Sequence, residues 1–464
     1  MLSKLTKGQK FAYSICRIGT SVFMNVATVA TVWIYDNIFG LKDYPYLNSA
    51  AVASGKIIIA FSSFLFGYIS DIIPAKKIGR RKFFIWTGAP LLAISFVMLF
   101  IPHLFIQAES TWSVFSWLFV WNAMFNIFYG YLTTPHQSWM AEISTEDDRV
   151  QISSFQNTAN LIASLFGTGY IFLLPSILDL QEGEVLTTQA SNILLITIVV
   201  FAVLEVLFFL PALFVIKDEP VERIERNVIR EFSIVFKNRN YVIWFMAQGV
   251  YSMGLIFLTT VILDFSTDIL GFTGMVETII FGLSMFGTIM LSFILWVFIA
   301  RKIGKKNSVL IGFGFLIVIL PLSLIFKVLS AGTIAFTIMG YVYGFLLGLG
   351  ISASQVFPYA IIADIADKDE RETNESRAGM YTGFNSIPLN IFQAISIFFL
   401  VGYFGNEAFQ ERLFWMGPVT AIFILAAIPI IMLGNFDPFK EITNGEAYKE
   451  AEAMNNYSDE LDGN

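Results

Sequence analysis

Asn122, Asn126, Tyr129 and Thr133 follow one another at spacings of four, three and four residues inside an otherwise apolar stretch. On a helix that spacing puts all four on one face. Amides donate and accept hydrogen bonds, a phenol does both, and an aromatic ring stacks on apolar C–H faces. The stripe therefore suits a neutral ligand rich in hydroxyl groups, or else hydrogen bonds between neighbouring helices. Similar residues interrupt other apolar stretches: Ser21, Asn25 and Thr28; Gln248 and Tyr251; Tyr341, Ser352 and Gln355; Asn385 and Asn390. Other chemistries find little material. Cys16 stands alone, so no cysteine cluster or internal disulfide forms. His103 and His136 are the only histidines, too few for a multi-histidine metal site, and no metal or other cofactor is expected. No phosphate-cradling glycine loop and no nucleophile–base set occurs, which argues against a nucleotide-driven pump and against an enzyme. Nothing points to nucleic acid.

The elements that must position these residues are membrane helices. Of 464 residues, 56% are hydrophobic and 14% charged, against about 25% charged in soluble proteins. Apolar runs of 20 residues or more recur along the chain, each long enough to cross ~30 Å of hydrocarbon. Twelve spans are read, near 11–39, 48–72, 83–106, 113–140, 150–178, 190–216, 241–270, 276–300, 307–330, 332–362, 379–403 and 412–434. With twelve spans both termini share a side, and that side collects 24 of the 29 Lys and Arg. The opposite loops hold Lys42, Lys327 and Arg412, and the bias places both termini in the cytoplasm. The first stretch is too long for a cleaved signal, so it reads as a membrane helix of a cytoplasmic-membrane protein.

Residues 1–216 are then a first six-helix bundle and 241–434 a second. Residues 217–240 join them, with Val221, Ile224, Val228, Phe232 and Val235 making the apolar face of a short surface helix. Residues 435–464 form a tail, whose segment 437–464 has eight acids and two lysines.

Charges inside the spans need a reason, since each costs roughly 2.5–3.5 kcal/mol at the bilayer centre. Lys56, in span 2, reads as a substrate or coupling group, or as the partner of a carboxylate. Glu205, mid-way along span 6, reads as a titrating coupling group or a structural one. Arg17 reaches the headgroups by snorkelling.

The two bundles repeat each other. Residues 78–90, IGRRKFFIWTGAP, come after span 2, and residues 303–315, IGKKNSVLIGFGF, after span 8. Residues 142–149, EISTEDDR, and 364–371, DIADKDER, come after spans 4 and 10 at an offset of 222. A parallel six-span repeat with such turns predicts an all-α membrane protein of the major facilitator fold, twelve helices in two halves. Asp71, Gly79, Arg80, Arg81, Glu142, Arg149, Asp364, Arg371 and Arg377 are the expected switch residues. Basic residues there can cap helix ends and hold acids of a neighbouring helix, contacts that break and reform as the halves rock. Topology signalling alone is the other account of the basic loops.

GYISDIIPAKKIGRRKFFIWTGAP (67–90) resembles the helix 2–3 segment of the glycoside-pentoside-hexuronide:cation symporters, the melibiose permease group. FPYAIIADIADKDERETNESRAGMYTGF (357–384) is similar to the helix 10–11 signature of that family, and TPHQSWMAEISTEDDR (134–149) matches its helix 4–5 signature more loosely. Plant sucrose transporters and their animal relatives share parts of all three. The resemblance implies a carrier of a sugar or glycoside, driven by a monovalent cation. It also departs from the family. Aligned on Gly67, the paired acids of helix 2 fall at Ile59 and Ser63, and the family's proline at Phe64. The acids of helices 1 and 4 fall at Ser21 and Thr133, and a helix 11 lysine at about Asn390. Lys56 keeps a basic residue.

The major facilitator fold implies that helices 1, 4, 7 and 10 line a central cavity. The expected substrate contacts are Ser21, Asn25, Asn122, Asn126, Tyr129, Thr133, Gln248, Tyr251, Tyr341, Gln355, Asn385 and Asn390, with Lys56 and Glu205 as coupling groups. The expected partners are a sugar or glycoside, a monovalent cation, with H⁺ preferred to Na⁺, and membrane lipid, for a monomer. An uncoupled facilitator, a lysophospholipid-type carrier and a non-transporting receptor are the competing readings.

Overall fold

The computed structural model describes residues 5–436 apart from 73–78, 107–109, 145, 179–186, 217–227, 374–377 and 405–406. The helices of the first half are α1 (Lys7–Asn37, irregular at Ile15), α2 (Pro45–Ile72), α3 (Arg80–Phe100), α4 (Thr111–Ile143), α5 (Glu146–Leu178) and α6 (Thr188–Val215). Those of the second are α7 (Arg239–Ile269), α8 (Met275–Ala300), α9 (Lys305–Lys327), α10 (Ile334–Ala366), α11 (Phe384–Phe404, begun at Ala378) and α12 (Met416–Leu433). Pro358 comes directly after the one non-helical residue of α10, Phe357; proline removes a donor and crowds the preceding turn. Three π turns, Phe265–Ile269, Leu283–Gly287 and Ile397–Val401, lie in α7, α8 and α11.

Eleven of these helices are long and apolar enough to cross a membrane. The exception among the twelve expected spans is α4, 33 residues long, whose apolar run is diluted by Asn122 and Asn126. Its place is set by packing, since it lies against both α2 and α3. Much of the outer surface is apolar: Leu291, Ile294, Phe214 and Val318 are all more than two-thirds exposed. In water such a surface would associate; in lipid it is the contact face. The chain is an integral membrane protein.

One end of the bundle carries the linker, and several polar contacts gather helix ends there. Gln9 donates to the Val215 carbonyl at 3.5 Å, and the Asn435 N–H to Asn240 Oδ1 at 3.2 Å. The described part of the linker, Val228–Lys237, is helical and packs against α7 and α11. Val235 is buried, and Phe236 meets Tyr241 and Phe245 edge-on. Asn238 caps α7 by accepting the Tyr241 N–H and donates to the Tyr381 hydroxyl at 3.0 Å. Val221 and Ile224 of the expected apolar stripe, and the tail from 437 onward, lie outside the described residues.

The halves touch where α1 meets α7 and along two further seams. α2 meets α11, with Tyr46 against Phe398 and Phe64 against Phe384. α5 meets α8, where Phe172 contacts Phe281 at 5.7 Å and Phe286 at 5.6 Å between ring centroids.

Candidate functional site

The polar residues of α1 face α5. Ser21 Oγ donates to Asn160 Oδ1 at 2.7 Å, and Asn25 Nδ2 to Ser164 Oγ at 3.3 Å. Both bonds join side chains 139 residues apart in sequence, so they are successive rungs of one ladder. Asn25, Asn160 and Ser164 are each only half-buried. Gln156, one turn before Asn160, is buried with Nε2 unpartnered. The sequence reading named Ser21 and Asn25 and missed their partners. The signal was present: Gln156, Asn160 and Ser164 recur every four residues in span 5.

The α4 stripe is split. Asn122 Nδ2 donates to the Ala51 carbonyl of α2 at 2.7 Å, and Asn126 Nδ2 to the Asn122 carbonyl at 2.8 Å. Both amides press on Gly55 of α2, where a Cβ would come within 2.4 Å of each Nδ2. They are 4% and 6% exposed. Tyr129 and Thr133 are half-buried, with the Thr133 hydroxyl turned to the Tyr129 carbonyl at 2.7 Å.

In the second half, Gln248 and Asn385 are buried on the adjoining helices α7 and α11, and Oε1 of one and Oδ1 of the other lack a donor. Tyr251 is buried edge-on to Phe313 at 4.9 Å. Tyr341 stacks on Phe272 at 5.0 Å. Gln355 is exposed, and Asn390 Nδ2 donates to the Ser386 carbonyl at 2.8 Å. The contacts of these residues thus fall on several different helix pairs.

Lys56 is next to Gly55 on α2, a helix shared between the halves, and is half-buried. No ion pair among the described residues involves it. Glu205 lies elsewhere, fully buried between α6 and α1 against Gly19, with neither carboxylate oxygen hydrogen-bonded.

The repeated turns match in backbone as well as sequence. Gly79 (φ 90°) and Gly304 (φ 87°) both open a helix in a conformation that favours glycine. Beyond them the basic residues act alike. Arg81 donates to the Ser70 hydroxyl, and Lys82 to the Leu213 carbonyl at the end of α6 at 2.8 Å. Lys305 pairs with Asp364 of α10, and Lys306 donates to the Met432 and Gly434 carbonyls at the end of α12, at 3.0 and 2.6 Å. Each half thus ties the end of its last helix to the start of its third, where a cation meets unpaired carbonyls. The sequence reading missed Lys82 and Lys306. Arg377 lies outside the described residues, as do the side chains of Asp71, Arg80, Glu142, Arg149 and Arg371.

A cavity of ≈ 330 Å³ opens under the second half, between the linker helix and the end of α10, with Lys237, Arg239, Asp364, Asp369 and Glu372 in its wall.

Matching basic turns and a polar ladder inside an apolar shell of long helices suit a multi-pass carrier. Solved structures agree on the fold. A D-xylose–proton symporter gives a TM-score of 0.65 at 15% identity, over 93% of this chain and 98% of that one. The inward-open xylose transporter XylE from E. coli gives 0.60 at 17% identity, over 90% and 94%. An isoprimeverose transporter from Lactiplantibacillus pentosus is 21% identical over 393 residues, 82% of this chain and 76% of that protein. The family model for MFS/sugar transport proteins matches residues 12–432, and the chain belongs to that family. These relatives are transporters and not enzymes.

Proposed function

We propose that this protein carries a neutral sugar or glycoside across the cytoplasmic membrane by alternating access, driven by protons and not by Na⁺. The observation that supports it most is the α1–α5 ladder. Its amides and hydroxyls are bonded side chain to side chain, and Asn25, Asn160 and Ser164 are half-exposed, so a sugar hydroxyl can replace either partner without freeing a helix backbone group. Gln248 and Asn385 add two buried acceptors without donors, and a sugar hydroxyl would satisfy each. Tyr129, Thr133, Gln355 and Asn390 complete the proposed contacts, and Lys56 is a charged group on α2, which forms one of the seams between the halves. Asn122, Asn126, Tyr251 and Tyr341 we assign to holding helices in place. The relatives named for isoprimeverose and D-xylose make pentose-containing sugars the first probes.

Hard cations need several oxygen ligands, usually with a carboxylate among them. Ile59 and Ser63 stand where the family's helix 2 carboxylates would be, so Na⁺ has no such site there. The linker end is the cytoplasmic end, with both termini on it, and the carrier acts as a monomer in contact with lipid. Proteoliposome uptake of isoprimeverose and D-xylose under separate H⁺ and Na⁺ gradients tests the reading. Accumulation with H⁺ alone is expected. A large Na⁺ stimulation would overturn the choice of ion, downhill flux alone would make it a facilitator, and no flux of either sugar would count against the substrate class. For the orientation, Arg230→Cys should resist impermeant thiol reagents outside intact cells, because the native Cys16 is buried and silent.

A further inference from the structure

Glu205 is unusual among the buried acids. It sits mid-way along α6, 0% exposed, and both carboxyl oxygens lack a hydrogen-bond partner. Its neighbour on α1 is Gly19, where a Cβ would lie 1.7 Å from Oε2 and 3.1 Å from the Glu205 Cα. Any larger residue at 19 would expel the carboxyl group, so α1 offers a notch that fits it. The groups facing it carry no compensating charge at contact. From α1 come Cys16, within electrostatic reach, and Tyr13 and Arg17 nearer the linker end. From α4 comes His136, stacked on Tyr13 and edge-on to Phe209, one turn beyond Glu205. α3 contributes Lys82, already bonded at the end of α6, and α5 contributes Tyr170, bonded to Thr197 towards the other end.

An ionised carboxylate without a partner is too costly in such a place, and a group so placed carries a proton instead. The cover over it is also the wall of the polar ladder. On α1, Cys16, Gly19 and Phe23 share one face and turn to α6 and α3, while Ser21 and Asn25 lie on the opposite face and turn to α5. A shift or roll of α1 that accommodates sugar on one face therefore moves the lid on the other.

We infer that Glu205 is the proton-binding site of this carrier, set behind α1 instead of in the sugar site, and linked to that site through α1. This rests on the sugar-transport reading above. The step is proton binding alone: one O–H bond forms on the carboxylate with a proton from water on one side of the membrane. It breaks again with release to water on the other side.

Two measurements separate the site from the transport reading. Infrared spectra of the purified protein near neutral pH should contain the C=O stretch of a neutral carboxylic acid, and Glu205→Gln should lose it. In proteoliposomes with isoprimeverose or D-xylose, Glu205→Gln should keep counterflow but lose uphill accumulation, ending at equal concentrations inside and out. Glu205→Leu, which fills the notch without a carboxyl, carries the same two expectations if the glutamine variant does not fold. Spectra identical to wild type would overturn the inference, and so would proton-driven accumulation at the wild-type level. If the wild-type protein moves neither sugar, the transport reading fails, and the infrared band still decides whether Glu205 holds a proton.

Discussion

Two polar seams of the first half differ in where their hydrogen bonds end. Between α4 and α2, Asn122 donates to a backbone carbonyl and Asn126 to the carbonyl of its own helix, both over Gly55. Between α1 and α5, Ser21 and Asn25 bond side chains that remain half-open. Lipid removes most of the hydrophobic drive between helices, so close packing and such bonds must hold them together. The first seam is built to stay shut. The second can exchange its partners for a ligand's. The same residue types serve both ends, and burial separates the two roles.

Substitutions can break this contrast. The largest effect is expected from Gly55→Leu, which drives a side chain into two amides. Overpacking of this kind costs about 1–3 kcal/mol, seen as a lower melting temperature in detergent, with unchanged sugar affinity in the folded fraction. Next, Asn25→Ala combined with Asn160→Ala should weaken isoprimeverose or D-xylose binding about tenfold, roughly 1.4 kcal/mol, with little change in melting. A large melting loss with intact affinity would make the ladder structural. Asn122→Ala should do the reverse, losing about 1 kcal/mol of stability while calorimetry finds the same affinity. Smaller still, Arg81→Ala, Arg371→Ala or Lys306→Ala should slow counterflow more than they weaken binding. A cation at a helix C-terminus contributes about 0.3–1 kcal/mol, enough to shift a rocking equilibrium. A variant with normal exchange but lost binding would contradict that role.

Much of this was legible in the sequence. Span positions come from apolar run length, and the repeat from Ile-Gly and its basic residues at 78 and 303; the matching φ of Gly79 and Gly304 is its backbone form. Lys305 on Asp364 is the expected tie between a basic turn and the acid of a neighbouring helix. What spacing alone does not contain is which helix a polar face meets. The four-residue rhythm of Asn122 and Asn126 fixes a common face, but Gly55, 67 residues earlier than Asn122, turns that face inward. The same rhythm at Asn160 and Ser164 is masked, because span 5 is polar at many positions. Lys82 is hidden in the basic run 80–82, where its reach to Leu213 depends on α6 ending alongside α3.

The π turn of α8 works like a vernier. Phe281 and Phe286 are five apart, and at about 100° per residue they would diverge by about 140° on a regular helix. Yet both rings rest on Phe172 of the other half. The extra residue in Leu283–Gly287 resets the angular phase of the next helical segment. Inserting one residue beside Ser284 would turn Phe286 by about a further 100° and swing its ring off Phe172. It would leave composition, hydropathy and helix length almost unchanged, so the grip between the halves at that seam depends on a count of residues more than on their kind.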